Sequence, residues 1–170
     1  MTYEFAIHRT PETAIISIRE QVPEADFPGF LALAFPELFT HVGRHGVIAT
    51  GHPFVIYHAF GPDRIDAEVC VPVTGPAPVG DRITAHVLPE TTIVRTLHVG
   101  PYEELGAAYQ AISEWVADHG YATAGPIRER YLNGPAEMTS PTEYRTEIDL
   151  PVVPVAAETP ADEPEPVPVG

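Results

Sequence analysis

The chain reads as one unit written twice. Pro11-Glu12-Thr13, followed by Ala14-Ile15-Ile16, returns as Pro89-Glu90-Thr91, followed by Thr92-Ile93-Val94; His45-Gly46 returns as His119-Gly120; Glu68-Val69-Cys70-Val71-Pro72-Val73 returns as Glu147-Ile148-Asp149-Leu150-Pro151-Val152. Three anchors recur in the same order at nearly the same separation. Each half must then reach the same small fold, and the two must bury their apolar faces together. A chain of 170 residues is long enough for one such shared core. The expected domain spans 1–153, with one repeat over about 3–75 and the other over about 80–153.

The periodicities are the same in both halves. In the second, Thr92–Leu97 is rich in β-branched residues and reads as a strand, and Gly100-Pro101 with Glu103 and Glu104 supplies a helix start. Leu105, Ala108, Tyr109, Ile112, Trp115 and Val116 follow the i, i+3, i+4, i+7 spacing of one buried stripe, and Gly120 marks the stop. Strands follow over Ile127–Leu132 and Tyr144–Val152, where Ile148, Leu150 and Val152 alternate with Glu147, Asp149 and Pro151. The first half repeats this with strands at Ala14–Arg19, Phe54–Phe60 and Ile65–Val73, and a helical stretch ending near Arg44. Pro28 and Pro36 predict that this stretch breaks in two near Phe35. The fold class expected is α+β: duplicated β-α-β-β units related by a pseudo-twofold axis, an antiparallel sheet with helices on one face, and a ligand groove on the other.

Strand alternation sends Glu147 and Asp149, and in the first half Asp66, Glu68 and Cys70, to the face away from the helices. A junction of two pseudo-symmetric halves is a common place for a small-molecule cleft, and Glu68 and Glu147 would occupy equivalent positions in it. In Ile127-Arg128-Glu129-Arg130-Tyr131 the duplication is broken at a carboxylate, since Ile56 of Phe54-Val55-Ile56-Tyr57-His58 stands opposite Glu129 when the repeats are aligned. A ligand-facing role for Glu129 and a solvated or cross-strand-paired charge, in a strand where Arg128 and Arg130 flank it, both fit that pattern. Tyr109 and Trp115 also fit simple core packing. Cys70 has no neighbour in sequence to lower its pKa and reads as a small buried hydrophobe.

Other chemistries lack their residues. One cysteine supports neither a disulfide nor a thiolate zinc site. His41 and His45 have the helical i, i+4 spacing but no acidic third ligand, so no metal is expected, and no cofactor. There is no Gly-x-Ser-x-Gly, Walker loop or Gly-x-Gly-x-x-Gly, and the only serines are Ser17, Ser113 and Ser140. The formal charge is -15, and all nine basic residues are arginine; direct nucleic-acid binding, which needs clustered positive charge, is not expected. The chain carries neither a signal-peptide pattern nor an apolar run long enough to span a bilayer, and a cytoplasmic location without membrane association is the expectation. From Pro154 to Gly170 the aperiodic Pro, Ala, Glu and Val composition predicts a disordered acidic tail.

The run His98-Val99-Gly100-Pro101-Tyr102, the helix through Ala108-Tyr109 to Trp115, His119-Gly120-Tyr121, Gly125-Pro126-Ile127-Arg128-Glu129-Arg130-Tyr131 and Thr146-Glu147-Ile148-Asp149-Leu150-Pro151-Val152 resemble the second half of GyrI-like domains. Such domains also form the effector-binding part of multidrug-sensing transcription activators. The resemblance covers about residues 3–153, by motif in the second half and by architecture alone in the first. It implies a groove that takes small hydrophobic, often cationic, compounds through aromatic rings and buried carboxylates. By position, Glu129, Glu147, Tyr109 and Tyr131 inherit that role, with Glu68 and Tyr57 added from the first half. With no helix-turn-helix ahead of the domain, the resemblance implies a stand-alone protein for sensing or sequestration. Two alternatives stay open: a hydrolase of strained, cyclopropane-bearing electrophiles with Glu147 or Glu129 as general acid or base, and an acidic inhibitor of a protein partner.

Overall fold

The computed structural model describes residues 2–156; most of the Pro-rich tail expected from the sequence lies outside them. The β-branched runs become strands. In the first half these are β1 (Ala6–Thr10), β2 (Thr13–Pro23), β3 (Phe54–Phe60) and β4 (Arg64–Pro72), with α1 (Phe27–His45) between β2 and β3. In the second they are β5 (Thr84–Leu88), β6 (Thr91–Val99), β7 (Tyr121–Thr123), β8 (Arg128–Tyr131) and β9 (Arg145–Pro154), with α2 (Leu105–Asp118) after β6. All strand pairings are antiparallel, and the protein is α+β: one curled antiparallel sheet with two helices.

The sheet order is β1-β6-β9-β8-β3-β4-β2-β5, with β7 added on β9. That order reads alike from either end when β2, β3 and β4 are matched to β6, β8 and β9, which is consistent with the duplication expected from the sequence. The outer strands are exchanged: β1 precedes β2 but pairs with β6, and β5 precedes β6 but pairs with β2. Neither edge strand, nor the short β7, stands out in the sequence. Ala6, Ile7, His8 and Arg9 of β1 are all exposed, so no burial imposes an alternation there.

α1 departs from the expected break. It runs unbroken from Phe27 to His45 with Pro36 inside it. Pro28 sits in its first turn, where a missing N–H costs no helical bond. Pro36 costs roughly 3 kcal/mol relative to alanine in a helix interior. Against this, Phe30, Leu38 and Val42 are buried on the sheet, each contributing about 1.5–3 kcal/mol. Packing therefore outweighs propensity. In α2 the buried stripe is Leu105, Ala108, Ile112 and Val116, and Tyr109 and Trp115 lie half-buried on its flanks.

Both helices lie on one face. Paired residues of an antiparallel sheet point the same way, so one rung runs Ile18–Val69–Val55–Glu129–Ile148–Thr96 across six strands. Val55 and Val69 pack with α1, and Ile148 packs with α2. α1 covers β2 and β4, whereas α2 covers β6, β7 and β9. The central strands β3 and β8 are left between the helices. No helix of the described residues is long and apolar enough to cross a membrane.

Candidate ligand-binding site

Glu129 occupies the middle of that rung, with Val55 on one side and Ile148 on the other. It is 6% exposed. A carboxylate among apolar neighbours is costly unless it is hydrogen-bonded, and here three phenols supply the bonds. Tyr57 donates to Oε2 at 3.0 Å and Tyr131 to the same oxygen at 2.6 Å. Tyr109 donates to Oε1 through a short hydrogen bond.

Each phenol arrives by a simple rule. Tyr131 is two residues beyond Glu129 on β8, so alternation returns it to the same face. Tyr57 lies two residues beyond Val55, the β3 partner of Glu129, and so faces the same way. Tyr109 reaches from the flank of α2 that overlooks β8. Burial, and then the charge of Glu129, push the Tyr57, Tyr109 and Tyr131 phenols far above the usual tyrosine range. They remain O–H donors throughout the neutral range.

Above Glu129 lies a cavity of about 740 Å³, walled by Phe27, Leu31 and Phe35 of α1, Tyr57 and Tyr131 of the sheet, and Tyr102 and Leu105 at the start of α2. Phe35 and Tyr102 each meet Tyr131 edge-on, with ring centroids 5.9 Å apart. Among the ion pairs of the described residues none includes Glu129. The cavity therefore offers a buried carboxylate with phenol donors and aromatic walls, but no built-in cation.

The position of the groove differs from the sequence expectation. It lies on the helix face, because the two helices cover the outer strands and leave β3 and β8 open between them. Glu129, Tyr57, Tyr109 and Tyr131 come together there. Glu147 and Glu68 do not, since both point to the opposite face. Glu147 lies between Arg95, at 3.3 Å, and Arg130, at 3.4 Å. Glu68 is 4% exposed and accepts from Ser17 at 2.6 Å, with His86 Nε2 at 2.7 Å and His58 Nε2 at 2.8 Å. Burial raises the Glu68 pKa, but the bonds from Ser17, His86 and His58 outweigh it and leave it below the ordinary carboxylate range. The alignment of Ile56 with Glu129 also shifts by one. Ile56 pairs with Arg128 and packs with Phe54 and Cys70 on the other face, while Val55 is the neighbour of Glu129.

The α1 wall of the groove is not anticipated by the sequence reading. Its signal is the row Phe27, Leu31, Phe35, spaced i, i+4, i+8 beside the buried row Phe30, Ala34, Leu38, Val42. Pro28 and Pro36, next to Phe27 and Phe35, read as helix breakers and mask this second apolar stripe.

Residues 3–153 match the model of the GyrI-like small molecule binding domain. The chain is 32% identical to the C-terminal domain of EcmrR, with a TM-score of 0.83, over 91% of this chain and 100% of that one. Against EcmrR in a cryo-EM DNA complex the identity is 31% and the TM-score 0.82, covering 90% of this chain but 58% of that chain. SAV2435, solved bound to tetraphenylphosphonium, shares the fold at 13% identity with a TM-score of 0.63, over 88% of this chain and 94% of that one. A hydrolase from Listeria innocua shares it at 14% identity with a TM-score of 0.60, over 86% and 91%. No curated protein sequence matches the chain. A sheet order that reads alike from either end, one antiparallel sheet with two helices, a carboxylate set beneath an aromatic groove and a family model spanning residues 3–153 lead to one conclusion: the chain belongs to the GyrI-like small molecule binding domain family.

Proposed function

We propose that the groove between α1 and α2 binds small lipophilic cations, with Glu129 as their counter-charge. The observation that carries this reading is a buried carboxylate held by three phenols in an apolar cavity, without a cationic partner among the described residues. The phenols offset part of the cost of burying the charge, and a bound cation offsets more of it at short range in a poorly solvated site. Tyr57, Tyr131 and Phe35 add ring faces and edges that suit a cation bearing aromatic groups. Tetraphenylphosphonium in the fold-sharing SAV2435 is a ligand of this chemistry.

The test is calorimetric titration with tetraphenylphosphonium, and with triphenylphosphine oxide as a neutral comparator. Saturable binding of the cation is expected. Glu129→Gln keeps the shape but removes the charge, and is expected to weaken cation binding about tenfold or more while changing the neutral compound little. Equal affinity of wild type and Glu129→Gln for the cation rejects the reading.

A further inference from the structure

The face of the sheet away from the helices holds a second cavity, of about 430 Å³, bounded by the β1–β2 turn, the segment before β3, and β6 and β8. Four of the nine arginines of the chain, Arg9, Arg95, Arg128 and Arg130, line it, and among the described residues no carboxylate does. In a chain with 24 acidic residues that wall composition is unusual. Phe54 and Leu88 give the cavity an apolar side, and the Arg130 guanidinium lies 5.9 Å from the Phe54 ring centroid.

The arginines are not equally satisfied. Arg95 holds Asp149 through two bonds of 2.7 Å. Arg130 lies 3.4 Å from Glu147 and 3.7 Å from Asp149. Arg9 pairs with Glu90 at the surface. Arg128 stands beside Asp149 in the strand register but joins none of these pairs. Its Nε is fully buried with no hydrogen-bond partner among the described residues. Burial lowers the pKa of Arg128, with Asp149 and Glu68 opposing that shift from nearby and Arg130 adding to it. An unpaired, partly desolvated guanidinium is costly, and an anion bound at those of its donors that face the cavity offsets that cost. A guanidinium presents planar, forked donors that match carboxylate and phosphate oxygens.

We propose that this pocket is a second ligand site, for a small organic anion: a carboxylate or phosphate carried on an apolar body, anchored by Arg128 with Arg9 at the rim and Phe54 and Leu88 against the body. The protein would then take oppositely charged ligands on opposite faces of one sheet.

Calorimetric titration of the full chain with benzoate, with inorganic phosphate, and with benzamide as the neutral counterpart of benzoate tests this. Saturable binding of at least one anion is expected, with none of benzamide at the same concentrations and with affinity falling as salt is raised. Benzoate without phosphate identifies a carboxylate site that needs its apolar wall; phosphate binding shows that the oxyanion suffices. Arg128→Met is expected to weaken anion binding about tenfold to a hundredfold, the range for hydrogen bonds to a charged group. Arg9→Gln, on an exposed edge strand, retains the fold in any case and is expected to weaken it severalfold. Tetraphenylphosphonium is expected not to displace the anion. Absence of saturable binding by both anions, affinity unchanged in both variants, or displacement by the cation overturns the proposal.

Discussion

Three glutamates of the same chain meet three different fates. Glu129 is held by phenols and faces a cavity, Glu68 is held by Ser17 and two histidines, and Glu147 is balanced by two arginines. Which fate follows depends on the face each residue takes and on partners far away in sequence. Glu68 carries a consequence for pH. Its folded pKa lies below the ordinary carboxylate value, as does that of Asp66, where the Arg19 hydrogen bond is the main cause. A depressed carboxylate stabilises the fold above its unfolded pKa, about 4, and that contribution is lost as pH falls through the folded value. Thermal melting of the wild type is therefore expected to fall as the pH drops below about 4, and Glu68→Gln to show a shallower decline. Parallel pH profiles in the two proteins exclude Glu68 as a source of the acid sensitivity.

At the scale of elements, α1 shows how local rules and packing divide the decision. Pro36 disfavours a helix, and the stripe of Phe30, Ala34, Leu38 and Val42 overrides it. The end of α1 obeys the local rule. Gly46 adopts φ 65° with its N–H bonded to Val42 O, and a Cβ added there would meet no atom within 4 Å. Its substitution thus tests backbone strain without steric conflict. Gly46→Ala is expected to cost about 1 to 2 kcal/mol, the strain of an L-residue in the left-handed region, measured from urea midpoints at constant m. A change under a few tenths of a kcal/mol shows that the helix end relaxes to another cap. The same helix builds the groove wall with Phe27, Leu31 and Phe35, so one element both fills the core and shapes the site.

At the scale of the whole molecule, the exchange of β1 and β5 binds the halves together. Each half lends its first strand to the edge of the other, through Ala6–Thr10 on Val94 and its neighbours and Thr84–Leu88 on Ile15 and its neighbours. The β3–β8 pairing joins them again in the middle. A half on its own loses an edge strand and leaves one edge of β3 or β8 unpaired, exposing backbone groups that the sheet satisfies. Fragments 2–77 and 78–156 are each expected to lack a cooperative unfolding transition, and their mixture to regain one, followed by Trp115 fluorescence and far-ultraviolet circular dichroism. Cooperative unfolding of either fragment alone shows that the halves are independent.

The sequence by itself determined the α+β class, the six principal strands and the two helical segments, whereas Glu129, Tyr57, Tyr109 and Tyr131 stand out in it only through the family resemblance, alongside Glu68 and Glu147. The elements follow from periods of 2 and 3.6 and from Gly and Pro at element ends, all of which are local. Tertiary structure alone decided that the groove lies between the helices, that Glu68 and Glu147 turn away from it, and that Arg128 Nε has no hydrogen-bond partner among the described residues beside a second cavity. The reason is physical: strand order and register set which residues become neighbours across the sheet, and they are fixed by the burial of two apolar faces at once. No single segment encodes that outcome, because Val55 and Glu129, or Arg95 and Asp149, meet only when the whole sheet has formed.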